Sequence, residues 1–186
     1  MPDKPARVLL VDDRRDNLLA LEASLQGLPV QPVAAESGEE ALKHLLLDDF
    51  ALILLDAQMP SMDGFETARH IKRRERTRHV PIIFLTAADR DSHLAMRGYA
   101  AGAVDYLTKP FDPWVLRAKV AVFVELWQKT RQLQALAESA RIREVELRAA
   151  TADLDEALAL LDGASQLDGE QMVRAAETLR RVRARL

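Results

Sequence analysis

The stretch Ala51-Leu52-Ile53-Leu54-Leu55-Asp56 decides the fold of the first two thirds of this chain. Five consecutive apolar residues end abruptly at a carboxylate. A strand that is apolar throughout, instead of at alternate positions, is buried on both faces, which is typical of a parallel sheet covered by helices. Because such sheets bind ligands at the carboxyl ends of their strands, we expect Asp56 to belong to a binding site.

Strand-like and helix-like segments alternate on both sides of this stretch. The predicted strands are residues 7–11, 30–35, 51–55, 80–85 and 104–107. The predicted helices are residues 16–26, 37–46, 64–74 and about 91–102, with a fifth that begins at 113. This order predicts an α/β fold in which a five-stranded parallel sheet is doubly wound, with helices on both sides.

Polar side chains stand where four of these strands end. Asp12 and Asp13 follow the first strand, Asp56 the third, Thr86 the fourth and Lys109 the fifth. The carboxyl ends of parallel strands lie along one edge of a sheet, so we expect these groups to converge. Three adjacent carboxylates repel one another, and a divalent cation that prefers oxygen ligands, such as Mg²⁺, would stabilise them.

The central position of its strand makes Asp56 the candidate nucleophile. Carboxylates are known to form aspartyl phosphates. Lys109 would supply a second cation, and the Thr86 hydroxyl could donate a hydrogen bond to a phosphoryl oxygen. Phosphoryl transfer depends mainly on positioning and electrostatics, so a separate base is not required. We therefore expect Asp56 to accept a phosphoryl group beside a magnesium ion.

Four motifs carry a resemblance to a known family. They are Val-Asp-Asp at 11–13, Leu-Leu-Asp-Ala-Gln-Met-Pro-Ser-Met-Asp-Gly at 54–64, Phe-Leu-Thr-Ala at 84–87 and Asp-Tyr-Leu-Thr-Lys-Pro-Phe at 105–111. Together they resemble the response-regulator receiver domain of two-component systems, over about residues 6–124. Each motif alone is weak, but their order at the predicted strand ends is specific. The resemblance implies a flavodoxin-like or CheY-like fold.

The resemblance also implies a role for each matched acidic residue. Asp56 would be the phosphoacceptor. The ligands of Mg²⁺ or Mn²⁺ would be Asp13, Asp56 and the backbone carbonyl of Gln58, and Asp12 would act through water. Gln58 and Ala88 would flank the approach of the water that removes the phosphoryl group.

Further roles implied by the resemblance concern the fourth and fifth strands. Thr86, Ala87 and Lys109 would bind the phosphoryl group. Thr86 and Tyr106 would form a switch, in which the hydroxyl moves toward the phosphate and the aromatic ring turns inward. The peptide bond between Lys109 and Pro110 would be cis.

The composition changes after residue 124. No proline follows Pro113, and no glycine occurs between residue 124 and Gly163. Every seventh residue is leucine except at Ala140, namely Leu126, Leu133, Leu147, Leu154 and Leu161. The companion heptad positions are partly polar, namely Phe123, Thr130, Ala137, Glu144, Thr151 and Leu158. This pattern predicts a coiled-coil helix that needs a partner, for which we favour a parallel homodimer.

Three segments follow from these patterns. We expect a receiver domain at residues 1–124, a coiled-coil signalling helix at 125–163 that continues the last receiver helix, and a turn with a terminal amphipathic helix at 164–186. Two alternatives remain. The leucine-rich heptad stripe of the long helix could pack on its own receiver domain, or the terminal helix could fold back on the long helix.

Composition and charge exclude several classes of protein. The chain of 186 residues has no cysteine, so disulfides and zinc–thiolate sites are excluded. A net charge of −3, with ten basic and eleven acidic residues from Glu125 onward, gives no sign of a nucleic-acid arm. A signal peptide and an apolar run of membrane-spanning length are both missing from the sequence, so we expect a cytoplasmic protein without membrane contact.

Two functions agree with these features. The first is a response regulator that is not an enzyme beyond its own phosphorylation and slow dephosphorylation, with a histidine kinase or phosphotransfer protein as donor and an output partner of unknown type. The alternative is the regulatory fragment of a larger histidine kinase or diguanylate cyclase, or an intermediate of a phosphorelay. A phosphatase is disfavoured because position 58 holds Gln, where such enzymes need an acid.

Overall fold

The computed structural model describes residues 5–87, 102–162 and 169–185. These residues belong to two compact units, Met1–Lys129 and Thr130–Leu186. Three predicted features lie outside the described residues: the helix from about Asp91 to near Gly102, the role of Ala88, and the turn that follows the coiled-coil helix at residue 163.

The first unit is built around a parallel sheet. Its strands are β1 (Ala6–Val11), β2 (Val30–Ala35), β3 (Leu52–Asp56), β4 (Ile82–Ala87) and β5 (Asp105–Lys109). The described helices of the chain are α1 (Arg15–Leu25), α2 (Gly38–Leu47), α3 (Gly64–Arg73), α4 (Pro113–Asp162) and α5 (Gly169–Arg185). The strand order is β2-β1-β3-β4-β5, all pairs are parallel, and β3 is central. The predicted doubly wound sheet and long C-terminal helix are confirmed.

Alternate residues of each central strand pack into two separate cores, one on each face of the sheet. On β3, Ile53 and Leu55 contact the core formed with α2 and α3, while Leu52 and Leu54 contact the core formed with α1 and the start of α4. All four side chains are fully buried. Burial on both faces explains why this strand is apolar at every position.

The carboxyl ends of β4 and β5 extend two residues beyond their predicted bounds of 80–85 and 104–107. Thr86 pairs with Thr108 and Ala87 pairs with Lys109, so the parallel ladder continues after the apolar run has ended. Those bounds were wrong because apolar patterning reports side-chain burial, whereas the ladder depends on backbone hydrogen bonds. The phosphate-binding candidates therefore lie within the strands.

Side-chain caps fix where the helices begin. The Ser37 Oγ accepts a hydrogen bond from the Glu40 N–H at 3.1 Å, as its capping-box spacing predicts. At the start of α3, Asp63 Oδ1 accepts from the Glu66 N–H at 2.6 Å. Asp112 caps α4 in the same way. Each cap satisfies a helix N–H and sets the direction in which the helix leaves its loop.

Gly64 is the closest point of contact between α3 and the end of β3. A Cβ atom placed on Gly64 would lie 2.0 Å from the Asp56 carbonyl oxygen, and its N–H donates to the Ala57 carbonyl at 3.1 Å. A side chain at this position would push against backbone, which cannot move aside cheaply. Glycine at position 64 therefore lets α3 begin directly beside Asp56.

The second unit contains the greater part of α4 together with α5. Ala150 and Ala157 of α4 and Thr178 of α5 are buried. The heptad leucines are more exposed, since Leu133, Leu147 and Leu154 are 66%, 62% and 41% exposed, although Ala150 and Ala157 lie only about 60° around the helix from Leu147 and Leu154. Among the described residues of this unit, the heptad leucines are therefore uncovered.

We expect Gly64→Ala to lower the free energy of unfolding by about 1–3 kcal/mol, the usual range for overpacking. The measurement is urea denaturation followed by circular dichroism. Gly169→Ala is the matched control, because nothing lies within 4 Å of a Cβ at that position. Equal stability of Gly64→Ala and the parent chain would show that α3 can move away from β3.

Candidate phosphoacceptor and metal site

Three carboxylates meet at the carboxyl edge of the sheet. Asp12 and Asp13 follow β1, and Asp56 is the last residue of β3, the neighbouring strand. One ligand oxygen from each of the three lies within 4.8 Å of the others. Asp12 is fully buried and Asp56 is 8% exposed, whereas Asp13 is exposed. The structure thus brings together all three acidic residues that the sequence places at strand ends.

Lys109 links two of these carboxylates. Its Nζ lies 2.7 Å from Asp12 Oδ2 and 3.2 Å from Asp56 Oδ1. Since β4 separates β5 from β3, the long lysine side chain is needed to span the intervening strand. The shared ammonium offsets part of the repulsion between the two acids.

Asn17 also belongs to the site, and sequence analysis missed it. Its Nδ2 lies 2.8 Å from Asp12 Oδ1 and 3.0 Å from Asp12 Oδ2. Asn17 lies in the first turn of α1, where side chains lean toward the helix N-terminus and so toward the end of β1. An amide residue four positions after the acidic pair is the signal that could have identified it.

The pKa of Asp56 is raised above its ordinary value. Burial is the largest cause, and the Asp12 carboxylate also raises it. The Lys109 ammonium and a hydrogen bond from the Gln58 backbone N–H act in the opposite direction. In the metal-free chain, Lys109 and the Gln58 N–H therefore offset only part of the cost of burying the Asp56 charge. An additional cation would stabilise the ionised form.

The loop after Asp56 holds a specific backbone conformation. Ser61 has a φ of 66°, in the left-handed region that few residues other than glycine adopt. The Met62 N–H donates to the Pro60 carbonyl at 2.8 Å, which closes a tight turn. Gln58, in the same loop, is exposed at the rim of the acidic cluster.

The remaining candidates lie on β4 and β5. Thr86 is buried at the end of β4, and Ala87 follows it in an exposed position. Tyr106 lies on the edge strand β5 and is 41% exposed. The peptide bond between Lys109 and Pro110 is cis.

The basic stretch at residues 72–78 contributes to local structure. The Lys72 Nζ donates to the carbonyls of Arg78 and Val80 at 3.0 and 2.7 Å, and burial lowers the pKa of this lysine. Arg76 donates to the Leu46 carbonyl at 2.8 Å. Two of the cations in this stretch therefore hold the loop before β4 in place.

The family model described as the response regulator receiver domain matches residues 8–121. This chain belongs to that family. It is therefore a receiver domain of two-component signalling, followed by a long helix.

Known relatives differ in what accompanies the receiver. Response regulator PleD of Caulobacter vibrioides is 41% identical over 115 residues, which are 62% of this chain and 25% of PleD. Sensor histidine kinase GacS of Pseudomonas protegens is 31% identical over 176 residues, which are 92% of this chain and 19% of GacS. The chemotaxis protein CheY4 of Vibrio cholerae superposes with a TM-score of 0.59 at 30% identity, covering 63% of this chain and 97% of CheY4.

Coverage of the relatives is partial. The chain spans about a quarter of PleD and about a fifth of GacS. Over the part of the chain that the structure describes, the helices contain no segment both long and apolar enough to cross a membrane.

The donor set fits the magnesium ion that receiver domains bind at their acidic cluster. Three carboxylate oxygens within 4.8 Å of one another match the preference of Mg²⁺ for hard oxygen ligands. Asp13 is exposed and, among the interactions found in the described residues, it has no salt-bridge partner, so its oxygens are accessible to an ion. A cation at this position would also offset the unfavourable burial of Asp56.

We expect Asp56→Asn to raise the melting temperature of the metal-free chain at neutral pH by about 2–4 °C, for a gain of about 1 kcal/mol. Because burial raises the pKa of Asp56 on folding, its ionised form costs stability above the folded-state pKa, and the cost vanishes as pH falls toward 3.8. The variant's advantage should therefore shrink in acid.

The measurement is thermal unfolding in chelator across a pH series. Asp16→Asn is the control, because Asp16 is an exposed carboxylate in the same region. An unchanged or lower melting temperature for Asp56→Asn at neutral pH would contradict the assignment of Asp56 as a poorly compensated charge.

Proposed function

We propose that this chain is a response regulator that accepts a phosphoryl group on Asp56 from a histidine kinase or a phosphotransfer protein. The observation that carries the proposal is the position of the Asp56 carboxylate, beside two further carboxylates and 3.2 Å from the Lys109 ammonium. Membership of the receiver family supports the same reaction. The chain itself then needs no further catalytic residue, because phosphoryl transfer depends on positioning and charge.

The reaction forms one bond and breaks another. An ionised Asp56 oxygen attacks the phosphorus, and the bond from phosphorus to the donor nitrogen breaks as the electron pair returns to the donor. Asp13, Asp56 and the Gln58 carbonyl would hold Mg²⁺ or Mn²⁺, with Asp12 acting through water. When bound, the ion would neutralise charge on the transferring group.

Residues of β4 and β5 would receive the phosphoryl group. In this proposal Lys109 pairs with one phosphoryl oxygen, and the Thr86 hydroxyl donates a hydrogen bond to another. The small side chain of Ala87, exposed beside Thr86, leaves access to the site. Movement of Thr86 would be coupled to rotation of the Tyr106 ring on the edge strand. Phosphorylation would thereby change the surface that the protein presents to a partner.

Incubation with acetyl phosphate and Mg²⁺ should add one labile phosphoryl group per chain, seen by intact mass spectrometry. Asp56→Asn should abolish the gain, because the nucleophile is missing. Asp16→Asn should retain it, since that carboxylate lies outside the acidic cluster. Phosphorylation that persists in Asp56→Asn, or its absence in the parent chain, would refute the proposal.

The output surface would be a homodimer through α4. In the second unit the heptad leucines Leu133, Leu147 and Leu154 are exposed, whereas the neighbouring Ala150 and Ala157 are buried. A second copy of this chain would bury the exposed stripe by coiled-coil packing. The partly polar companion positions, such as Glu144 and Thr151, would weaken the pairing and make it responsive to the receiver.

We expect Leu147→Glu to dissociate the dimer, as measured by light scattering after size-exclusion chromatography. Val145→Glu is the matched control, because Val145 is 64% exposed and Leu147 is 62% exposed, but only Leu147 lies on the stripe. A monomeric parent chain, or equal effects of the two substitutions, would remove the dimer from the proposal.

A second candidate function is the receiver of a larger enzyme, such as a histidine kinase or a diguanylate cyclase, or an intermediate of a phosphorelay. The observation that favours it is the length of the relatives, of which this chain spans only a fraction. In that case α4 would transmit the state of Asp56 to a catalytic domain. An immunoblot of the native protein distinguishes the two, because a response regulator of 186 residues has a mass of 20.8 kDa.

A further inference from the structure

Asp12 is surrounded by protein donors on both oxygens. Oδ1 lies 3.0 Å from the Arg14 backbone N–H and 2.8 Å from the Asn17 amide nitrogen. Oδ2 lies 3.0 Å from the same amide nitrogen and 2.7 Å from the Lys109 ammonium. Three donor groups therefore share the two oxygens, and the amide nitrogen of Asn17 lies against both of them.

Among the residues that the structure describes, only one of these donors has a second carboxylate within reach. The Lys109 Nζ also lies 3.2 Å from Asp56 Oδ1, so negative charge added to Asp56 would attract it away from Asp12. The Arg14 N–H belongs to the backbone at the start of α1. Asn17 is held by the helix itself, whose next residue, Leu18, is 4% exposed in the core.

We propose that Asn17 is a positioning residue, which fixes Asp12 while Lys109 transfers from Asp12 to the phosphoryl group on Asp56. The inference rests on the proposed phosphorylation of Asp56. When Lys109 leaves, one acceptor position on Asp12 Oδ2 becomes open to another donor. The two contacts from Asn17 keep the buried carboxylate from rotating, and they reduce the cost of losing the lysine's charge.

Without Asn17, Lys109 would be the principal side-chain partner of the buried Asp12 carboxylate. Moving Lys109 away from Asp12 would then cost more free energy than in the parent chain. Asp12, which lies beside the metal-binding oxygens, is then held less rigidly. Loss of a hydrogen bond that orients a group next to a metal site commonly weakens metal affinity by about 10–100-fold. Asn17 therefore affects both the affinity for Mg²⁺ and the rate of phosphorylation, although it contacts neither the ion nor the phosphoryl donor.

The test uses the full chain with Asn17→Ala, and with Asn17→Asp as an isosteric variant that cannot donate. Isothermal titration with Mg²⁺ should show about tenfold weaker binding for Asn17→Ala. With saturating Mg²⁺ and acetyl phosphate, both variants should be phosphorylated at least about fivefold more slowly than the parent chain. Ser24→Ala, which removes a half-buried polar side chain at the other end of the same helix, should change neither quantity.

The results separate this inference from the proposed function. If the parent chain is phosphorylated and Asn17→Ala retains the parent's rate and Mg²⁺ affinity, Asn17 does not position Asp12 and the inference fails alone. If the parent chain takes no phosphoryl group, the proposed function fails, and the Mg²⁺ titration still decides whether Asn17 supports the acidic cluster. If circular dichroism shows that Asn17→Ala does not fold, the phosphorylation rate of Asn17→Asp decides instead.

Discussion

The physical constraint on which the site depends is the crowding of like charges at one edge of the sheet. Three carboxylate oxygens lie within 4.8 Å of one another, and two of the residues are almost fully removed from water. Such an arrangement is unfavourable by itself, because burial and mutual repulsion both oppose ionisation. Lys109 and Asn17 stabilise the charge of Asp12, while the pKa of Asp56 remains raised although the Lys109 ammonium lies 3.2 Å away. The chain therefore folds with an acidic site that gains from a bound cation.

The sheet order explains how this arrangement forms. β3 lies between β1 and β4, so the end of the most deeply buried strand faces the acidic pair on one side and Thr86 on the other. Gly64 allows α3 to start directly beside the Asp56 carbonyl. Lys109 must cross β4 to reach Asp56 and both β4 and β3 to reach Asp12, and its long side chain contacts both carboxylates. A residue with this reach suits a site whose charge changes when a phosphoryl group is added.

Sequence alone predicted the positions of the acidic residues because each follows an apolar run that only a buried parallel strand explains. It did not locate the ends of β4 and β5, since their last two residues continue the ladder without apolar side chains. It also missed contacts that depend on packing of distant segments. Asn17 approaches Asp12 across the turn into α1, and Arg117 of α4 donates to the Ser24 carbonyl at 2.9 Å at the end of α1. The burial of Thr178 likewise required the folded unit, because the heptad spacing of α4 carries no information about which residues of α5 are buried.

The central claim is that Asp56 is the residue that becomes phosphorylated. Borohydride reduction of the acetyl phosphate-treated chain tests it directly, because an aspartyl phosphate is reduced to homoserine, which tandem mass spectrometry then locates in the peptide. Homoserine is expected at position 56, and only when Mg²⁺ is present during phosphorylation. Homoserine at another acidic residue, or reduction products that do not depend on the metal, would contradict it.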